Sequence, residues 1–210
     1  MNSLGIRRPF IVGIGGTPRL GSTSEMALRH CLKAAEAAGA EVELIAGPAI
    51  ELPLYDPVNP HRPPAARRLV QAIRRADGVI LSTPAYHGTL SGMLKNALDY
   101  VEDLRDDPRA YFDGRAVGCI VCADGMQSMG TALVTLRSII HTLRGWPTPF
   151  AAALNSAAKP FAGGGPLEED VARQLAMVAE QVVDFAETRL VREMVEQERG
   201  EHRRLRAPAM

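Results

Sequence analysis

Apolar residues along the chain fall into short continuous runs separated by stretches of helical spacing, and the alternation repeats to the C-terminal third. Residues 10 to 14, Phe-Ile-Val-Gly-Ile, form an unbroken apolar run ending on Gly15-Gly16. Such a run predicts a strand buried on both faces of a parallel sheet. A turn rich in Gly, Pro and Ser follows. From Ser24 the period changes, with Ala27, Cys31, Ala34 and Ala38 at helical spacing and a stop at Gly39. Val42 to Ile45 is a second short strand. Residues 47 to 66 hold six prolines and predict a loop, and a loop of that length in a compact domain more often serves function than not. Leu69, Ala72, Ile73 and Ala76 restore a helix, and Val79 to Ser82 is the third strand. After a turn from Thr83 to Thr89, Leu94, Ala97, Leu98, Val101 and Leu104 share one helical face. Ala116 to Cys122 is a fourth strand, and Met129, Leu133, Leu136, Ile140 and Leu143 mark a fourth helix. Thr148 to Leu154 is the fifth strand, and Val171, Leu175, Val178, Val182 and Phe185 define a final helix.

Five strands alternating with five helices through short connections predict one doubly wound α/β domain, because each right-handed crossover between parallel strands needs its helix. The expected sheet has helices on both faces and the flavodoxin-like strand order 2-1-3-4-5. Ligands of such sheets bind at the carboxyl ends of the strands, beside the switch point between the first and third. Residues 1–188 are assigned to this domain. The mostly charged stretch 189–210 is expected to be a tail, a solvated helix end fraying into disorder.

Composition narrows the partners. The 210 residues carry 24 Lys plus Arg against 24 Asp plus Glu, a formal net charge of zero. With no overall positive field, neither nucleic acid nor a membrane surface is expected as a main partner. The longest apolar runs fall far short of the roughly 20 residues that span a bilayer, and the first residues lack the pattern of a cleaved leader. A cytoplasmic location is therefore expected. The three cysteines, at 31, 119 and 122, imply no disulfide framework. Cys119 and Cys122 are three apart on a predicted strand and so point to opposite faces, which argues for core packing rather than a metal or redox pair. The histidines at 30, 61, 87, 141 and 202 show no ligand spacing. No metal site is expected.

The first strand-to-helix loop, Gly15-Gly16-Thr17-Pro18-Arg19-Leu20-Gly21-Ser22-Thr23-Ser24, lies where backbone N–H groups and a helix dipole converge on an anion. A dinucleotide fingerprint starting at Gly13 and Gly15 would need glycine at 18, which is proline. A Walker A loop from Gly16 to Gly21 would need lysine at 22, which is serine. One arginine with hydroxyls at 17, 22, 23 and 24 suits a single terminal phosphomonoester, as in a mononucleotide. The alternative is an ordinary turn in which Ser22 or Ser24 only caps the helix.

The stretch after the third strand runs Ser82-Thr83-Pro84-Ala85-Tyr86-His87-Gly88-Thr89-Leu90-Ser91-Gly92-Met93-Leu94-Lys95-Asn96-Ala97-Leu98-Asp99-Tyr100. It resembles the signature of the NAD(P)H-dependent FMN reductase family, a strand-end [ST]-P-x-Y turn followed by S-G-x-L-K-N-x-L-D. The first loop resembles the same family's phosphate loop, and the resemblance covers roughly residues 10 to 155. It implies that Thr17, Arg19, Ser22, Thr23 and Ser24 hold the FMN phosphate and that Pro84, Ala85, Tyr86, His87 and Gly88 line the isoalloxazine. Proline there fixes φ, and small residues let the backbone approach a flat ring. Ser91 is the expected N-cap of the next helix. Lys95 and Asp99, four apart, are either a surface pair or a subunit contact. A third contribution is expected from the fourth strand's end, Ala123-Asp124-Gly125-Met126-Gln127-Ser128, with Asp124, Gly125 and Met126 as the binding residues, where amides of a helix N-terminus can stabilise negative charge on reduced flavin. The family often has paired glycines at this point, whereas this chain has Asp124-Gly125.

The resemblance implies hydride transfer from NADPH or NADH to FMN N5, with the cofactor supplying the chemistry and no catalytic side chain. If FMN leaves after reduction, the protein would supply a flavin-dependent monooxygenase. If FMN stays as a prosthetic group, the same site would reduce quinones, azo dyes or metal oxyanions. A flavodoxin-type electron carrier and a flavin-free phosphate-binding module are the rivals, the former usually strongly acidic. A homodimer or homotetramer is also expected. Tyr100, Val101 and Leu104 extend the apolar surface of the helix from Ser91 beyond what its own sheet needs, and similar reductases are homo-oligomers. The proline-rich loop around Leu54, Tyr55 and Asp56 could reach a neighbouring subunit.

Overall fold

A computed structural model describes residues 6–161 and 167–205. In chain order the elements are β1 (Phe10–Gly15), α1 (Thr23–Ala37), β2 (Glu41–Ile45), α2 (Pro64–Arg75), β3 (Gly78–Tyr86), β4 (Thr89–Leu90), α3 (Gly92–Asp99), β5 (Ala116–Ala123), α4 (Met126–Thr142), β6 (Trp146–Pro147), β7 (Ala152–Asn155) and α5 (Glu169–Leu205). Short 3-10 turns occupy Gly47–Ile50, Tyr100–Leu104 and Ser156–Ala158. The sheet runs β2-β1-β3-β5 in parallel, and β6 and β7 both pair with the far side of β5.

The expected order therefore holds, with the fifth strand divided in two. Pro147 and Pro149 have no N–H to give a ladder, so pairing lapses between Thr148 and Ala151. Local bonds take over there: Thr148 Oγ1 donates to Phe150 O at 2.8 Å, and Arg137 Nη2 donates to Thr148 O at 3.2 Å and Pro149 O at 2.8 Å. The third strand is longer than its apolar run. It continues to Tyr86 and folds back on β4 through a two-residue turn at His87-Gly88, in place of the open turn expected from Thr83 to Thr89.

Side chains of the central strands alternate between two cores. Val12, Ile14, Val79, Leu81, Val117, Cys119 and Val121 pack with α2, α3 and α4. Ile11, Ile80, Ile120 and Cys122 pack with α1 and α5. Cys119 and Cys122 thus lie on opposite faces. On the α5 side the sheet is thinned by glycine: a Cβ at Gly118 would sit 2.6 Å from Val178 Cγ1, and one at Gly78 would sit 2.6 Å from Val182 Cγ1. The helix lies against bare backbone at these points.

At the end of the sheet away from the strand carboxyl ends, Arg115 is wholly buried just before β5. Its guanidinium donates to Ala76 O at 2.9 Å, Arg74 O at 3.0 Å and Tyr111 O at 3.0 Å. These bonds tie the end of α2 to the turn that opens β5. Burial pulls its pKa down to about 10, still far above neutrality.

The proline-rich loop is fastened to its own chain. Tyr55 N–H donates to Asn96 Oδ1 at 2.9 Å, while Asn96 Nδ2 and Tyr100 OH donate to Pro53 O at 2.9 and 3.0 Å. Arg62 binds Asp103 through Nε and Nη2 at 2.7 and 2.9 Å and lies 4.8 Å over the Tyr55 ring. This loop and α2 cover the turn that follows α3, so Tyr100, Val101 and Leu104 are buried within their own chain. Their apolar character therefore gives no ground for a subunit interface, contrary to expectation. Lys95 Nζ and Asp99 Oδ1 form an exposed surface pair at 2.6 Å.

The segment expected to be a tail continues α5 without a break to Leu205. Its last five positions, 206–210, lie outside the described residues, as do residues 1–5 of the expected domain.

Candidate functional site

Three strand ends converge where β1, β3 and β5 deliver their carboxyl termini, and a cavity of about 650 Å³ opens between them. Thr17, Pro18, Arg19, Ser22, Thr23 and Ser24 line one end. Pro84, Ala85 and Tyr86 come from the end of β3, and Cys122, Ala123, Asp124, Gly125 and Ser128 come from the β5–α4 junction. Ser156, after β7, completes the wall.

The first loop enters α1 as a helix N-terminus. Ser22 is the N-cap, its Oγ accepting from Glu25 N–H at 3.3 Å, so the capping role considered for this residue is realised. That bond uses one lone pair and leaves the hydroxyl proton of Ser22 free to donate. Thr17 Oγ1 accepts from Arg19 N–H at 3.3 Å. Among the described residues, no ion pair or hydrogen bond engages the exposed Arg19 guanidinium. Ser24 is 3% exposed, its carbonyl accepts from Ser82 Oγ at 2.7 Å, and its own Oγ is buried without a hydrogen-bond partner. Buried polar atoms are nearly always paired, so this orphaned hydroxyl marks a place for a polar ligand.

A second network locks the loop to the β3 turn. Ser91 Oγ donates to Gly16 O at 2.6 Å and accepts from Leu94 N–H at 3.1 Å, as the expected N-cap of α3. Ser91 N–H donates to Thr83 Oγ1 at 3.0 Å, and that hydroxyl donates to Pro84 O at 2.8 Å. A Cβ at Gly16 would fall 2.9 Å from Ser91 Oγ and 3.0 Å from Thr83 Oγ1, so a side chain there would break the lock.

The walls at the other end are backbone and small side chains. α4 starts at Gly125 without a side-chain cap, which leaves its first N–H groups unclaimed by any side chain. Tyr86 and Met126 are exposed there at 58% and 84%. Cys122, at the cavity floor, is buried, and burial pushes its thiol up to about 12. It is inert as a nucleophile near neutral pH.

Of the residues anticipated from sequence, the cavity gathers Thr17, Arg19, Ser22, Thr23, Ser24, Pro84, Ala85, Tyr86, Asp124 and Gly125. His87 and Gly88 form the hairpin tip, at φ +52° and +82°, and are not among its lining residues. A Cβ at Gly88 would approach Thr131 Oγ1 of α4 at 3.4 Å, not the cavity. Met126 opens α4 just beyond the lining. Pro18, Ala123 and Ser128 fall within the loop and strand-end stretches expected at the site, without having been assigned contacts, whereas Cys122 and Ser156 were not anticipated. Ser156 had no sequence signal, because its place depends on where the divided last strand ends. Among the described residues no group of three His, Cys, Asp or Glu side chains gathers as a metal site, and no helix is long and apolar enough to cross a membrane.

The donor set fits FMN. A free guanidinium, four hydroxyls and a helix N-terminus meet the needs of a phosphomonoester, and the cavity is within the usual range for a small-molecule site.

The sequence is similar to an NAD(P)H-dependent FMN reductase of Pseudomonas aeruginosa, with 31% identity over 170 residues that span 79% of this chain and 88% of that protein. It is also similar to a quinone reductase of Escherichia coli, 38% identical over 104 residues covering 48% of this chain and 54% of that one. Among solved structures, a flavoenzyme NAD(P)H:acceptor oxidoreductase from Paracoccus denitrificans superposes with a TM-score of 0.70 at 23% identity. The match covers 86% of this chain and 98% of that one, a likeness of fold. The family model described as NADPH-dependent FMN reductase matches residues 9–159, and with that match across most of the α/β body the chain belongs to the NADPH-dependent FMN reductase family.

Proposed function

We propose that this cavity holds FMN with its phosphate against Arg19, Ser22, Thr23 and Ser24 and its ring between the β3 end and the Asp124-Gly125 turn. The observation that carries the placement is the orphaned, buried Ser24 Oγ at the N-terminus of a 15-residue helix, in the same cavity wall as the Arg19 guanidinium, which has no partner among the described residues. Bound flavin supplies the hydride-accepting N5 atom. The chain contributes anchorage and orientation. Thr17, Ser22 and Ser24, all buried, fix the phosphate end. Pro84 and Ala85 would form a backbone wall for the ring, and the uncapped first N–H groups of α4 would be available to stabilise negative charge on it. No side chain at the site is needed as acid or base. The open rim at Tyr86 and Met126 leaves room for a reduced nicotinamide, and then for an acceptor, to approach the ring.

The same site serves FMN either as diffusible substrate or as prosthetic group. In the first case reduced FMN would pass to a flavin-dependent monooxygenase. In the second, electrons would pass to a quinone, azo dye or metal oxyanion, a reading favoured by the similarity to a protein named quinone reductase. We place the protein in the cytoplasm, where reduced nicotinamide is made, a reading supported by three free, buried cysteines. A homo-oligomer is favoured by the fastened proline-rich loop, which holds Leu54 and Val58 outward at 86% exposure each.

The test of the placement is Arg19→Ala, with FMN and riboflavin binding measured side by side and NADPH oxidation followed with each flavin. Loss of a hydrogen bond to a charged group should weaken FMN by about 1.5 to 3 kcal/mol and leave riboflavin unchanged. Equal loss for both flavins would remove the phosphate role.

A further inference from the structure

We propose that Glu25 is the positioning residue of the phosphate loop, acting through Gly21 to hold Arg19 over the cavity. The inference rests on the placement of the FMN phosphate above and assigns a role to a residue outside the cavity wall. Glu25 is the third residue of α1 and is 1% exposed, an unusual setting for a carboxylate so near an anion site. Its burial is matched by partners. Oε2 accepts the Gly21 N–H at 3.0 Å, and Oε1 pairs with Arg29 one turn along the helix.

Ser22 and Glu25 have the spacing of a capping box, in which the glutamate normally takes the N–H of the capping serine itself. Here the carboxylate reaches one residue further back. Gly21 stands in the left-handed region at φ +71° with its N–H turned inward to Glu25. The Ser22 N–H is thereby left out of the box and not taken by Glu25.

The bond also closes a short bridge. Pro18, Arg19 and Leu20 are exposed. Arg19 N–H donates to Thr17 Oγ1 within the loop, the Leu20 side chain lies beside the 3-10 turn at Gly47, where an added Cβ would be 2.5 Å from its Cδ2, and Gly21 N–H donates to Glu25. The Glu25 contact ties the loop to α1. Without it the segment carrying the guanidinium must be ordered by the ligand, and that ordering is drawn from binding free energy. A carboxylate beside a phosphate is repulsive on its own; the Arg29 pair offsets that charge, and what remains is its use as an acceptor.

The experiment compares Glu25→Gln, Glu25→Ala and Glu25→Asp in the full chain, with Arg19→Ala alongside. FMN and riboflavin are titrated by quenching of flavin fluorescence, and NADPH oxidation is followed at varied FMN. Glutamine keeps an oxygen at the same reach, so Glu25→Gln should retain nearly the wild-type ratio of FMN to riboflavin affinity. Alanine has no acceptor and aspartate is too short, so both should lower that ratio about tenfold. KM for FMN should rise while kcat at saturating FMN holds. The Asp variant keeps the charge and gives a result even if the Ala variant does not fold. An unchanged ratio in Glu25→Asp and Glu25→Ala would overturn the assignment, and so would a loss in Glu25→Gln as large as that in Glu25→Asp. If Arg19→Ala leaves the ratio unchanged, the phosphate placement itself fails. If Arg19→Ala collapses the ratio and the Asp variant does not, only the role of Glu25 fails.

Discussion

Replacing Ser24 by alanine should move stability and binding in opposite directions. The Ser24 Oγ is buried at the start of α1 with no partner, while its backbone carbonyl is held by Ser82 Oγ at 2.7 Å. A buried hydroxyl left unsatisfied costs about 1 to 3 kcal/mol, and deleting it from the ligand-free protein recovers part of that cost. Alanine is also the better helix former at this position. Ser24→Ala should therefore gain about 1 to 2 kcal/mol in the absence of flavin, which for a chain of this size is roughly 2 to 8 °C in Tm. With FMN the sign reverses. One donor to a charged phosphate is gone, so FMN affinity should fall by about 1.5 to 3 kcal/mol and riboflavin affinity should hold. Melting curves with and without saturating FMN, read against flavin titrations on the same protein, measure both halves. The FMN-induced rise in Tm should shrink as the apo Tm rises, because ligand stabilisation follows affinity. A variant that melts lower without flavin and binds FMN as before would refute the argument, for it would mean that this hydroxyl is bonded within the fold.

Gly88→Val should lower stability by about 1 to 3 kcal/mol, since a β-branched residue is forced to φ +82°. Its Cβ points toward Thr131, so the folded protein should bind FMN normally, and lost binding at an unchanged Tm would contradict this. Arg115→Met should cost about 3 kcal/mol in urea unfolding, because the carbonyls of Arg74, Ala76 and Tyr111 lose their buried donor. A change under 1 kcal/mol would show that water replaces the guanidinium. Thiol reagent at pH 8 should label none of Cys31, Cys119 and Cys122 in the native protein and all three after denaturation. All three are buried, and burial pushes the Cys119 and Cys122 thiols up to about 12; rapid labelling of the native protein would show that the cavity floor at Cys122 opens.

The doubly wound body was legible because its strands are buried on both faces. Runs such as Ala116 to Cys122 admit no helix that stays half in water, and the Ala27–Cys31–Ala34 spacing admits no strand. The phosphate end of the site was legible for a related reason: hydroxyls and one arginine packed into ten residues between strand and helix leave few other uses. Two errors share a cause, namely that local pattern does not show what lies opposite. Tyr100, Val101 and Leu104 look like surplus apolar surface until the proline-rich loop is seen folded over them through Asn96, Arg62 and Asp103. The turn after β3 looks like an open platform until Tyr86 pairs with Thr89 and reduces it to His87-Gly88.

The same limit explains the division of labour within the cavity. Its phosphate end is built from residues close in sequence, with buried Thr17 bonded to the Arg19 N–H within the loop, Ser22 Oγ to Glu25 N–H of α1, and the Ser24 carbonyl to Ser82 Oγ of β3. The far end is assembled from three separate strand ends, and among the described residues no hydrogen bond or ion pair fixes the exposed side chains of Tyr86 and Asp124. Ordering entropy at the first end has been met by folding, whereas at the second it is met when a ligand arrives. Variants at the phosphate end should therefore change the ratio of FMN to riboflavin affinity, and variants at the open end should change both flavins together. A substitution at Asp124 that altered only FMN would place the phosphate on the wrong side of the cavity.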